Sequence, residues 1–222
     1  KLLGFDAIEF SLKSDSLNYH PIMNKKGRND IKKLKKKFDI KLKHISLDIF
    51  MNRPLHIYNK ENILLFQFLI EIVNKLDIDY IQLPLMGKSS IKNLTDQKNF
   101  VSILNDFLPD LRKRSIKLLL ETDLKANQLL NLLNKFTENV CITYDTGNSM
   151  YFGHSLIEEI VALKDFIKKV DIKDSSTEKY NIPLGSGDVN FEQIFNIMEK
   201  NNYSGDFVLE TPYYDTYNNS AQ

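Results

Sequence analysis

At 222 residues with 42% hydrophobic content, the chain can bury one substantial core, and its size suits a single domain spanning residues 1–222 better than two independent ones. Lys+Arg at 30 against Asp+Glu at 29 leave a formal charge of +1, so no global field favours nucleic acid or an anionic membrane. No run approaches the roughly 18 to 20 apolar residues of a membrane span, no signal-peptide pattern opens the chain, and the single Cys141 excludes an internal disulfide and a cysteine zinc cluster. The expectation is a soluble, cytoplasmic protein whose partner is a small molecule, with homo-oligomerisation left open.

The chain opens on Lys1-Leu2-Leu3-Gly4, which reads as the last turn of a helix closed by a C′ glycine. A strand is predicted over 7–11. The lysine-rich stretch from Lys25 to Lys37 follows, and Ile31, Leu34 and Phe38 give it an apolar face, so it reads as a helix with a solvated basic side rather than a nucleic-acid surface. A strand over 44–49 leads to a helix over 63–76, where Leu64, Phe68, Ile72 and Leu76 form one stripe widened by Leu65, Leu69 and Val73. Strands at 80–85, 117–121, 140–145, 169–173 and 207–210 then alternate with helices at 99–114, 125–136, 155–167 and 191–201, the last N-capped by Asn190.

Seven strands with crossover helices between them are compatible with an open doubly wound sheet or a closed α/β barrel of TIM (β/α)8 type. The acids decide between the two. Glu121, Asp145, Asp171 and Glu210 all fall at or near C-terminal strand ends, which meet at one mouth in a barrel but spread at about 4.8 Å per strand in an open sheet. The expected fold is therefore a barrel that lacks its first strand and most of its first helix.

A surface acid is ordinary, but four at successive strand ends form a set that raises its own pKa values or recruits a cation. All-oxygen ligation suits Mn²⁺ or Mg²⁺ better than Zn²⁺. Two carboxylates on either face of a sugar carbon can also remove and return the proton α to a carbonyl, and Glu121 and Glu210 are the candidates for that pair.

The motifs Gly4-Phe5-Asp6-Ala7-Ile8-Glu9-Phe10, Ser46-Leu47-Asp48-Ile49-Phe50-Met51, Leu120-Glu121-Thr122-Asp123, Tyr144-Asp145-Thr146-Gly147-Asn148, Asp171-Ile172-Lys173-Asp174, Pro183-Leu184-Gly185-Ser186-Gly187-Asp188 and Leu209-Glu210-Thr211 resemble the sugar phosphate isomerase/epimerase family of xylose-isomerase-like barrels. The resemblance covers nearly the whole chain. It implies a metal-dependent isomerase or epimerase of a sugar or sugar phosphate that works by proton transfer through an enediolate. In that family a Glu, an Asp, a His and a final Glu bind the metal, and the two Glu residues are the acid/base groups. Glu121, Asp145 and Glu210 match, and Asp171 stands where the family has its histidine. That departure keeps two alternatives open: a barrel that binds a sugar without turnover, and an inosose-type dehydratase that adds β-elimination to a similar site.

Glu9, Asp48 and Gln82 on predicted strands, together with Asn148, His154 and Lys173 in the loops and motifs after them, are the candidate substrate contacts. Arg53 and His20 are weaker candidates at the mouth. Gly185-Ser186-Gly187-Asp188 lacks the spacing of a dinucleotide fingerprint and reads as a tight loop whose N–H groups are available to a phosphate, with Lys88-Ser89-Ser90 as a second anion contact.

Overall fold

The computed structural model describes residues 4–136 and 139–212, so the helical turn expected at Lys1-Leu2-Leu3 lies outside the described residues. The chain forms two compact units, residues 1–143 and 144–222. Seven strands are present among the described residues.

The first unit contains β1 (Ala7–Ser11), α1 (Lys25–Phe38), β2 (Lys41–Ser46), α2 (Lys60–Lys75), β3 (Tyr80–Leu85), α3 (Leu94–Lys113), β4 (Lys117–Thr122) and α4 (Ala126–Leu133), and β5 (Val140–Asp145) begins in it. Each strand from β1 to β5 pairs in parallel with the next. Leu118, Leu119 and Leu120 are all fully buried, the continuous apolar run expected of a parallel strand covered on both faces. The β3–β4 register sets Gln82 opposite Leu119 and Pro84 opposite Glu121. Glu121 thus lies two residues beyond the position facing Gln82, and the two-residue period of a strand turns both side chains to the same side.

Two expectations about helical faces need correction. On α2 the buried apolar residues are Phe66, Leu69, Ile70, Ile72 and Val73, so Leu69, Ile72 and Val73 of the predicted face, with Leu76 just after the helix, are buried as expected, whereas Leu64 and Phe68 are exposed. Apolar residues occupy nearly every position from Ile63 to Leu69, so hydrophobicity alone does not set the phase of the stripe. An edge-to-face aromatic chain sets it instead: Phe50 to Phe66 at 5.6 Å between centroids, and Phe66 to Phe107 of α3 at 4.9 Å. On α1 only Ile31 is buried, while Leu34 and Phe38 are exposed.

Helix starts follow their capping chemistry. Asn24, Asn59 and Asn93 each accept a hydrogen bond from a backbone N–H in the first turn of α1, α2 and α3. Helix ends depart from the glycine rule. Asp39, Asp77 and Ser115 take the left-handed conformation just before β2, β3 and β4, with φ of 48°, 54° and 58°. The strand predicted over 44–49 is correspondingly displaced to Lys41–Ser46, and Asp48 is not on it. Asp48 begins a 3₁₀ turn, Asp48–Met51, where its carboxylate accepts from the Ser46 and Ser11 hydroxyls.

The second unit contains α5 (Thr146–Tyr151), α6 (Leu156–Leu163), β6 (Ile167–Ile172), α7 (Phe191–Lys200) and β7 (Asp206–Leu209). α6 and α7 pack together through faces that bury Leu156, Ile160 and Leu163 on one helix and Ile194 and Met198 on the other. β6 and β7 are parallel, and the Glu210 N–H donates to the Ile172 carbonyl at 3.1 Å, carrying the ladder one residue past β7. Asn190 caps α7 by accepting from the Gln193 N–H, as its position predicts. No helix among the described residues is long and apolar enough to cross a membrane.

The phase of α2 is directly testable. Phe66→Ala is expected to cost about 3–5 kcal/mol and Phe68→Ala about 1 kcal/mol or less in urea unfolding. A larger loss for Phe68→Ala than for Phe66→Ala would mean that the stripe drawn from hydrophobicity is the correct one.

Candidate functional site

In the first unit, three neighbouring strands converge on Gln82. Its side-chain amide donates to the Glu121 carboxylate at 2.7 Å and accepts from the Thr143 hydroxyl at 2.7 Å, and all three residues are buried. The two bonds assign the amide orientation, because Glu121 can only accept while ionised and Thr143 has a proton to give. Gln82 therefore holds Glu121 in one rotamer. Glu9 is half-buried on β1.

In the second unit, Asp145 ends β5 and caps α5. One of its oxygens accepts from the Asn148 N–H at 2.9 Å and the other lies 2.7 Å from the Lys173 ammonium. The same ammonium is 2.6 Å from Glu210, which directly follows β7. Lys173 is 2% exposed, so both contacts are made away from bulk water on the lysine side, although the Glu210 side chain is 46% exposed. Asp171 is fully buried on β6, one of its oxygens lies within 4.8 Å of one from Asp145, and Lys169 sits 3.0 Å away. Lys169 and Asp171 are two apart on a strand, so both leave the same face, and a buried carboxylate there comes with its own ammonium.

The backbone after β6 is closed by one hydroxyl. Thr146 donates to the Lys173 carbonyl at 2.7 Å and accepts from the Lys173 N–H at 3.1 Å. Gly147 provides the room for the lysine stem, since a Cβ at that position would meet Lys173 Cγ at 2.5 Å. Beyond the stem, the Tyr180 ring lies 5.4 Å from the ammonium.

Asn148 is buried on α5. His154, in the loop before α6, is turned to Glu159, with Nδ1 2.9 Å from the carboxylate. Burial pushes the Glu159 carboxyl above its ordinary pKa, and His154 and the Ser149 hydroxyl pull it back. Tyr144 completes this buried group, and burial raises its phenol too.

At both anion sites anticipated from the sequence, donors are engaged by the protein itself. Asp174 accepts from the N–H groups of Gly185, Gly187 and Val189, so the glycine loop spends its donors internally. Ser90 donates to Asp123, and the Ser89 hydroxyl donates to the Phe50 carbonyl. The sequence reading missed Thr143, Lys169, Thr146 and Glu159. Only Lys169 left a usable signal, a lysine two residues before an acid inside an apolar strand.

The model for xylose isomerase-like TIM barrels matches residues 1–222. An inosose dehydratase from Clostridium perfringens is 23% identical over 152 residues, which is 57% of this chain and 51% of the relative. The matched region thus spans about half the length of that relative. Among solved structures, an L-ribulose 3-epimerase matches with TM-score 0.78 at 17% identity, covering 96% of this chain and 73% of that one. A D-psicose 3-epimerase determined in the presence of D-fructose matches with TM-score 0.78 at 18% identity, covering 96% and 77%. At these identities the structural likeness establishes the fold.

The Gln82 bridge predicts a coupled pair. Gln82→Leu is expected to cost about 1–3 kcal/mol by leaving Glu121 and Thr143 without their partner, and adding Thr143→Val is expected to cost less than the sum of the two single changes. Strict additivity in urea unfolding would rule out the bridge.

Proposed function

Because the chain belongs to the xylose isomerase-like TIM barrels, we propose that it is a carbohydrate isomerase or epimerase that transfers a proton at the carbon next to a carbonyl. In this reading Glu121 and Glu210 are the acid/base pair, and Asp145 and Asp171 join them as the carboxylates that would hold a divalent cation. Support for bringing these residues to one mouth comes from the family architecture, since C-terminal strand ends of a TIM barrel converge.

The observation that carries the reading is the Lys173 ammonium at 2.7 Å from Asp145 and 2.6 Å from Glu210. It is a cation already seated between two of the acids that the motifs single out. The donor set is all oxygen, which fits Mg²⁺ or Mn²⁺. When bound, the cation would act as a Lewis acid toward the carbonyl oxygen. Free sugars and sugar phosphates both stay within the substrate class, with the Gly185 and Gly187 N–H groups and the Ser89 and Ser90 hydroxyls already engaged within the protein.

The residues' own tasks follow from their settings. One of the two glutamates takes the proton, the C–H electron pair becomes the double bond of an enediolate, and the carbonyl oxygen gains the negative charge. Return of a proton to the opposite face of the same carbon gives the epimer, and return to the neighbouring carbon gives the isomer. Glu121, held by Gln82, is the fixed member of the pair. Glu210 is the half-exposed member and is positioned by Lys173. Asn148 and Lys173 are proposed contacts to hydroxyl or carbonyl oxygens, and Glu9 is a proposed contact from the first unit, whereas the Asp48 carboxylate is engaged by Ser11 and Ser46.

A second reading rests on the inosose dehydratase match. Proton removal would be the same, and loss of a β-hydroxyl as water would complete the reaction.

Incubation with ketoses and Mg²⁺ or Mn²⁺ in D₂O is expected to place deuterium at the reacting carbon. Glu121→Gln and Glu210→Gln should each slow exchange by about 100-fold or more. A product lighter by one water would select the dehydratase reading. A panel negative for both exchange and dehydration would refute the proposal, and tight sugar binding in that same panel would mark a barrel that binds without turnover.

A further inference from the structure

We propose that Lys173 is a resident counter-ion of the site: its ammonium holds Asp145 and Glu210 in the absence of a divalent cation and has to leave them for one to bind. The inference rests on the cation-binding reading above and concerns how that cation is admitted.

Three observations carry it. The first is position, because the ammonium is 2.7 Å from Asp145 and 2.6 Å from Glu210, two of the carboxylates proposed to hold the cation. The other Asp145 oxygen is already committed to the Asn148 N–H, so a cation reaching Asp145 meets Lys173 first. The second is charge: Asp145 and Glu210 share the Lys173 ammonium, and a divalent ion held by the same two carboxylates would stand next to it. With both cations present, an ammonium about 4 Å from a divalent ion is repelled by several kcal/mol even at an effective dielectric of 20.

The third is an alternative berth. The lysine stem lies against Gly147, where a Cβ would meet its Cγ at 2.5 Å, and the Tyr180 ring is 5.4 Å from the ammonium with its hydroxyl at 3.5 Å. Rotation about the four-carbon stem moves the charge from the carboxylates toward this ring without exposing it fully to an apolar environment. Asp171 is outside the exchange because Lys169, fully buried beside it, keeps its charge compensated throughout. Lys173 is therefore a positioning residue for Asp145 and Glu210 in the metal-free protein and a competitor of the metal.

The test uses the full chain stripped of metal by chelation and titrated with Mn²⁺, with free Mn²⁺ followed by electron paramagnetic resonance. Lys173→Met and Lys173→Gln are expected to bind Mn²⁺ at least tenfold more tightly than the parent. Their metal-free forms should melt at lower temperature and gain more on Mn²⁺ addition, since two carboxylates have lost their counter-ion. Equal or weaker Mn²⁺ binding by both variants, with binding by the parent intact, overturns the counter-ion role and leaves the cation site standing. No Mn²⁺ binding by any of the three proteins overturns both. Should the variants fail to fold, the parent labelled with ¹³C at lysine Cε decides: one lysine resonance is expected to shift in step with Mg²⁺ occupancy, and no shift during saturable binding overturns the proposal.

Discussion

Buried carboxylates next to one another are tolerated only when something compensates their charge, and in this protein lysines do so. Asp171 has Lys169, and Asp145 shares Lys173 with Glu210. Removing either ammonium would leave a carboxylate in a poorly solvated setting, where the cost of an unpaired buried ion is several kcal/mol. The local structure around β6 serves this arrangement. Thr146 closes the backbone beside Lys173, Gly147 leaves space for its stem, and the N–H groups of Gly185, Gly187 and Val189 are gathered on the next acid, Asp174.

Glu121 is stabilised by other means. It has a neutral donor, Gln82, which is itself fixed by Thr143, so its orientation is set by a hydrogen-bond relay across three parallel strands. A relay of neutral groups leaves the carboxylate its charge, while the ammonium contacts of the second unit offset charge directly.

Much of the architecture was readable from residue order. Six predicted strands begin and end within two residues of those found, and the acids at 121, 145, 171 and 210 all lie at or next to C-terminal strand ends. Helix ends were less legible, because Asp39, Asp77 and Ser115 occupy left-handed positions where glycine is the usual marker. The face of α2 was misread for a related reason: a segment apolar all round has no phase of its own, and the Phe50–Phe66–Phe107 contacts supply one. Asp48 and the glycine loop show the same limit for polar groups. A carboxylate or a row of N–H groups near a strand end looks available until its partners, here Ser11, Ser46 and Asp174, are known.

By itself the sequence determined the alternation of strand and helix, the family, and the acids at the C-terminal strand ends, because these depend on periodicity and on short motifs local in the chain. Tertiary structure decided which of those acids already have a positive partner. Lys169 and Asp171 are neighbours by strand period and lay within reach of pattern reasoning, but the Lys173 contact to Glu210 joins residues far apart in the chain. It exists because β6 and β7 pair in parallel and bring the two strand ends side by side. Charge compensation acts through distance in space, and separation along the chain carries almost none of that information.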